Sequence, residues 1–297
     1  MTAPSRPPVT QAMIDLYDRF THEGMDRREL MSGLARLAGS SAAASAIVPL
    51  IAASPAAASI VAADDKRVIA ETAKWPGGTI HHLSGYLVRP AVSNKLTLGA
   101  VMLVHENRGL TEHIRDVARR LAIESFIVLA PDFLSPDGGT PVDEDKARTM
   151  IGALGRDATV ADGVATLEYL ASIKGGNARV GAVGFCWGGG MVNAVACAAG
   201  PRLRTGVAYY GPQPSAALVA TIKARMVLHY AGLDERIDAG IPAYEAALKA
   251  AKVKYEAFVY PGVNHAFNND TSAERYNKAA ADLAWGRTVS ALHETLG

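Results

Sequence analysis

Cysteine is scarce in this chain: 297 residues contain two, Cys186 and Cys197. If one helix carries both, their separation of eleven residues corresponds to a rise of about 16 Å. A disulfide needs Cα atoms within roughly 7 Å, so no structural disulfide is expected in any compartment. C-x-x-C and H-E-x-x-H are both missing, which leaves structural or catalytic zinc without a motif; no metal and no organic cofactor are expected. Surplus charge is missing too. A formal net charge of +1 argues against nucleic acid or an anionic membrane surface as the main partner. No internal repeat is visible. The longest charge-free stretch, residues 37–63, is rich in Ala, Ser and Gly and is broken by Pro49 and Pro55. That is a poor membrane span of about 20 residues, and no stable membrane anchor is expected.

What is present suffices for a sizeable core: 49% of residues are hydrophobic and 20% charged. Residues 1–64 differ from the rest. Residues 10–23 show helical spacing of Met13, Leu16, Tyr17 and Phe20 behind Thr10 as an N-cap. Asp26-Arg27-Arg28-Glu29-Leu30-Met31 follows, then the Ala-rich stretch, with small residues of cleavage-site type at 54–58. Twin arginine, a weakly apolar stretch and an A-x-A-like end suggest a twin-arginine signal and export to the periplasm. The alternative is a cytoplasmic protein that retains this extension as a helical hairpin packed on the catalytic domain. The division expected is a leader or extension over 1–64 and a catalytic domain over 65–297.

From Asp65 onward, short apolar runs alternate with amphipathic stretches. Strands are expected at 79–89, 98–104, 126–130, 179–184, 205–210, 223–231 and 255–260. Helices are expected at 112–124, 157–173, 191–199, 241–251 and 274–296, with a loop starting at Pro131. Such alternation predicts an α/β fold: a mostly parallel twisted sheet with right-handed crossovers and helices on both faces. Functional residues are then expected just beyond the C-terminal ends of strands.

Val180-Gly181-Ala182-Val183-Gly184-Phe185-Cys186-Trp187-Gly188-Gly189-Gly190 is the organising stretch. It reads as strand, tight turn and helix, with a cysteine at the apex and glycines two residues to either side. That is the nucleophile-elbow pattern. The start of the following helix favours a thiolate. Short motifs of this kind also surround inert buried cysteines. Three further residues meet the strand-end test: Glu106 in His105-Glu-Asn-Arg-Gly109, Asp234 in Gly232-Leu-Asp-Glu-Arg236, and His265 in Asn264-His-Ala-Phe267. Nucleophile, acid, histidine is the chain order of α/β-hydrolases. A thiolate needs a basic partner, His265, and the carboxylate of Asp234 fixes its tautomer; Glu235 is an alternative acid. The backbone N–H groups of Trp187 and Asn107 are the expected oxyanion donors.

These residues, with Tyr209-Tyr210-Gly211, resemble the dienelactone hydrolase family of α/β-hydrolases over roughly residues 75–297. The leader resembles a subgroup with export-like N-termini. The resemblance implies an α/β-hydrolase fold, a Cys186-Asp234-His265 triad and a glutamate, Glu106, that keeps the resting thiol protonated until substrate displaces it. A salt bridge of Glu106 to Arg108 or Arg115 is the competing reading. The family also implies arginines for a substrate carboxylate, one of them four residues after the histidine. Here that position is Asn269, so Arg108, Tyr210, Asn269 and Arg275 are the substrate-binding candidates. The expected activity is hydrolysis of small esters or lactones through a thioester on Cys186. The alternatives are a broader carboxylesterase or thioesterase and a non-catalytic binding protein on the same fold. The expected partner is a small-molecule ester or lactone, and an oligomer is compatible with the sequence.

Overall fold

A computed structural model describes residues 8–54 and 59–297. Three helices come first: α1 (Gln11–His22), α2 (Arg27–Ala38) and α3 (Ser41–Ile51). Asp26 caps α2 in a reciprocal box with Glu29, and Gly39 ends it in the left-handed region at φ 81°. Ser40 then caps α3. The 109° bend between α2 and α3 folds the apolar stretch back on itself, and no single described helix is long and apolar enough to cross a membrane. Leu16, Tyr17, Phe20, Leu34, Ile47 and Ile51 form an apolar core belonging to these three helices alone. Residues 55–58, the centre of the expected cleavage site, lie outside the described residues.

The remainder runs β1 (Val68–Pro76), β2 (His82–Pro90), β3 (Leu98–Val104), α4 (Glu112–Ile123), β4 (Ile127–Asp132), α5 (Glu144–Gly152), α6 (Arg156–Ala171), β5 (Gly176–Phe185), α7 (Trp187–Ala198), β6 (Leu203–Tyr209), α8 (Ala216–Val219), β7 (Arg225–Ala231), α9 (Glu235–Asp238), α10 (Ile241–Ala250), β8 (Tyr255–Tyr260) and α11 (Lys278–Leu296). The strands form one eight-stranded sheet in the order β1-β2-β4-β3-β5-β6-β7-β8. β1 and β2 pair antiparallel, as do β2 and β4, and the others pair parallel. This is the α/β-hydrolase arrangement that the sequence led us to expect. β3 and β4 are buried at every residue, because both faces of the sheet are covered. One face packs against α6, α7 and α10 through Leu167, Leu170, Val192, Val195 and Leu248. The other packs against α4 and α11 through Ile114, Val117, Leu121, Ala284 and Leu292.

Several boundaries differ from the sequence reading. The expected strand at 79–89 is β2, while β1, whose single buried positions amid exposed ones gave no clear alternation, was not expected. α7 starts at Trp187 rather than 191, since glycines stand in its first turn for packing reasons. α5 occupies the end of the expected loop, capped by Asp143. The closing helix begins at Lys278, four residues later than expected, with Asn277 as its cap.

Candidate active site

The C-terminal ends of β3, β5, β7 and β8 converge on one spot, and Cys186 lies at its centre. Cys186 has φ 54° and ψ −117°, outside the regions that L-residues favour. The turn is this sharp because strand and helix backbones nearly touch. A Cβ on Gly184 would sit 2.2 Å from the Gly188 carbonyl oxygen, and one on Gly188 would sit 2.4 Å from that of Val104. Only glycine fits at either position. The Cys186 amide donates to Tyr209 O at 3.0 Å, tying the apex to the next strand. Trp187 opens α7, so its N–H has no partner four residues back; its ring stacks on His105 at 5.2 Å between centroids.

Asp234 follows β7 and caps α9, with Oδ1 accepting from Ile237 N. Its Oδ2 receives Nδ1 of His265 at 2.5 Å, and both side chains are buried. His265 Nε2 is buried without a hydrogen-bond partner, and its ring packs on that of Tyr210 at 4.7 Å. Tyr210, at φ 37°, also has a buried hydroxyl with no partner. Burial and the charges of Glu106 and Cys186 hold that phenol well above its ordinary range, so it stays a neutral donor. Burial pushes the His265 imidazolium down, but Asp18, Asp234 and Cys186 outweigh it and leave the ring well above the usual histidine range.

The neighbour that hydrogen-bonds the sulfur comes from elsewhere. His22, the last residue of α1, places Nε2 3.1 Å from Cys186 Sγ. On its other side, Nδ1 faces Asp18 O at 2.9 Å, Thr21 Oγ1 at 2.9 Å and Asp18 Oδ1 at 3.2 Å. α1 thus roofs the site, and Cys186 is 5% exposed. Burial alone would raise the thiol, yet the His22 and His265 charges bring it down to about 6. Reciprocally, burial would lower His22, but Cys186 and Asp18 lift it to about 9. Sequence reasoning missed His22 and Asp18. Their signal was an Asp and a His four residues apart on a short amphipathic helix, unreadable until that helix is docked.

The other expected residues surround this centre. Glu106 Oε2 accepts from Asn269 Nδ2 at 2.9 Å, so the carboxylate beyond β3 is held by the residue at the position where the resemblance implied an arginine. Arg108 pairs with Glu144 and donates to Tyr17 Oη at 2.6 Å, while Arg115 lies over the Tyr86 ring. Arg275 donates to Ile51 O at 3.0 Å and lies over the Tyr17 ring. Asn107 uses its side chain to reach Thr21 O at 3.0 Å. A cavity of about 240 Å³ opens beside Glu106, Arg108, Asn269 and Ser54. Among the described residues, donor atoms of His22, Cys186 and His265 lie within 4.8 Å of one another, as do those of Asp18, Asp234 and His265. Both cysteines are free thiols.

Comparison with known proteins places the chain in a family. The model of the dienelactone hydrolase family matches residues 83–296. A candidate carboxymethylenebutenolidase of Escherichia coli O157:H7 is 32% identical over 223 residues, covering 70% of this chain and 81% of that protein. Another from Saccharolobus solfataricus is 32% identical over 232 residues, covering 65% and 88%. Among solved structures, a candidate dienelactone hydrolase of Klebsiella pneumoniae superposes with a TM-score of 0.68 at 28% identity, covering 75% of this chain and 97% of that one. Helices α1–α3 lie outside the family match.

Proposed function

The chain belongs to the dienelactone hydrolase family, hydrolases acting on ester bonds, and on that premise we propose that it cleaves small esters or lactones through a thioester on Cys186. The observation that carries this is a buried cysteine at a strained elbow, its thiol brought down to about 6, beside an imidazole bonded at 2.5 Å to a carboxylate. The elbow, the Asp234–His265 pair and Glu106 all lie within residues 65–297. Cys186 Sγ attacks the carbonyl carbon, and the C=O π pair moves to oxygen. The N–H groups of Trp187 and Asn107 receive that charge, which a low-dielectric pocket makes more effective than water would. The C–O bond then breaks, and a proton passes from imidazolium to the leaving alkoxide. Water adds to the thioester with His265 as base, and sulfur departs as thiolate. Asp234 keeps His265 in one tautomer. The free hydroxyl of Tyr210 is a further donor for substrate oxygen. The family model would have Glu106 check the resting thiol, but here the Glu106 carboxylate accepts from Asn269 and the thiol is already brought down, so no such check enters this scheme.

A neutral, small substrate fits best. Arg108 is committed to Glu144 and Tyr17, and Arg275 gives its Nε–H to Ile51 O and Ser272 Oγ. A pocket of about 590 Å³ is lined by Asp234 and His265 themselves, enough for a short ester or lactone and within the range of larger ligands. A broad thioesterase with a longer acyl group is the second reading. The test is p-nitrophenyl acetate hydrolysis: one equivalent of p-nitrophenolate is expected as a burst, with an acetylated Cys186 recovered by mass spectrometry. Loss of both in Cys186→Ala supports the reading. No burst across a panel of short esters and lactones would instead indicate a binding protein on this fold.

A further inference from the structure

We propose that the N-terminal segment is part of the active site, with His22, oriented by Asp18, acting as a second catalytic imidazole on Cys186. The inference rests on Cys186 being the nucleophile and goes beyond the Asp234–His265 pair. His22 Nδ1 lies 2.9 Å from both Asp18 O and Thr21 Oγ1, with Asp18 Oδ1 a charged neighbour at 3.2 Å, so Nδ1 carries the proton and Nε2 is the nitrogen offered to sulfur at 3.1 Å. The pair parallels Asp234 and His265, with a backbone carbonyl as the hydrogen-bond acceptor and the carboxylate supplying charge. Spacing of four residues puts Asp18 and His22 on one face, one turn apart.

The helix is held where it does this. Asn107 donates to Thr21 O, Arg148 donates to Phe20 O and lies 4.0 Å from the Phe20 ring centroid, and Gln11 reaches Asn264. Arg236 stands between the two acids, 3.8 Å from Asp18 Oδ2 and 3.9 Å from Asp234 Oδ1. The charged and titratable groups facing the pair are therefore Asp18, Asp234, Arg236 and His265, with Tyr210 and Glu106 behind the sulfur. The raised imidazole and lowered thiol of the preceding description agree with a thiolate–imidazolium pair between His22 and Cys186.

The proton balance closes. The Cys186 thiol proton moves to His22 Nε2, leaving thiolate. Sulfur forms the C–S bond, and the C–O bond breaks on collapse. The alkoxide takes the proton from His22 and leaves as alcohol. Acylation removes the sulfur charge that helps raise His265, so the ring gives up its extra proton, and water then attacks the thioester with its proton going to His265 Nε2, which has no protein partner. The C–S bond breaks, and the proton on His265 restores the single proton of the resting Cys186–His22 pair.

The test uses the full chain with His22→Gln, His22→Ala and Asp18→Asn, each checked by thermal melting. The pH dependence of iodoacetamide alkylation reads the Cys186 thiol; Cys197, pushed up to about 11 by burial, stays silent below pH 9. Wild type is expected to titrate near pH 6, with His22→Gln shifted up by at least one unit and Asp18→Asn shifted less. At pH 7, kcat/KM for p-nitrophenyl acetate is expected to fall tenfold or more in His22→Ala, mostly in kcat, and to recover with added imidazole. An unchanged alkylation midpoint overturns the proposal. So does a rise in kcat/KM in His22→Gln, which would make α1 a plug over the thiol. N-terminal sequencing of active native protein that starts beyond residue 22 overturns it as well. Activity surviving in Cys186→Ala would instead sink the reading of Cys186 as nucleophile.

Discussion

Two Asp–His pairs face one sulfur, and they are built by opposite means. Asp234 and His265 lie 31 residues apart in sequence and meet because β7 and β8 are neighbours whose ends open onto the same edge. Asp18 and His22 meet because a helix turn brings i and i+4 together, and long-range contacts are needed only to hold that turn over Cys186. The sheet pair is fixed by the fold itself. The helix pair is as local as a pair can be, yet its use depends on docking. The difference teaches that a carboxylate–imidazole unit needs no particular scaffold, only a rigid approach to its target.

The comparison breaks most violently at the residue both pairs share. Cys186→Ala should abolish p-nitrophenyl acetate turnover, and His265→Gln should lower kcat on the order of 10⁴- to 10⁶-fold, as in hydrolases whose triad acts as a unit. A drop in His265→Gln no larger than in His22→Gln would make the two imidazoles equivalent. Next comes Asp234→Asn. It should cost about 10⁴-fold, because the wrong His265 tautomer is then favoured, and the pH–rate profile checks this.

A third variant separates docking from chemistry. Leu34, fully buried in the core of α1–α3, when cut to Ala should loosen these helices by about 2–5 kcal/mol. Hydrogen exchange should rise over residues 11–51 while the sheet remains protected, and Cys186 should titrate at higher pH.

A milder disturbance is pH itself. His22 is raised to about 9, so its contribution to docking is complete below its ordinary value and lost as pH rises through about 9. Cys186 is lowered to about 6, so its contribution is lost as pH falls through about 6. Limited proteolysis of α1 should therefore be slowest between those limits. Smallest of all is Arg27→Ala. Its exposed bridge to Asp145 is worth less than about 1 kcal/mol, and the melting temperature should scarcely move.

The sheet was legible because buried strands such as Leu98–Val104 are continuous apolar runs, and because Gly184 and Gly188 bracket a cysteine in a way only a tight elbow requires. Asp234 and His265 were legible as polar residues just past such runs. Asn269 could be located by counting from His265, though not its bond to Glu106, which depends on how two loops face each other. The roles of α1–α3 stayed hidden for a different reason. Arg27, Arg28 and the Ala-rich stretch have the composition of a leader, and composition does not record where a helix lands. Amphipathic spacing of Leu16, Tyr17 and Phe20 read as an apolar face, and that face closes on α2 and α3. The working residues His22 and Asp18 lie beside that face.

The connections that hold α1–α3 in place run from one end of the chain to the other: Gln11 to Asn264, Ser54 N to Thr271 O, and Glu274 N to Leu50 O. On a ribosome these helices emerge before the sheet, and landing sites such as Asn264, Thr271 and Glu274 emerge after it. Contacts of such sequence separation form late, after the loop entropy of the whole intervening domain has been met. The elbow thiol is therefore assembled before its roof. During that interval the nascent hydrolase carries an uncovered Cys186, which a brief thiol-trapping pulse during refolding would catch faster than the same pulse given to the finished molecule.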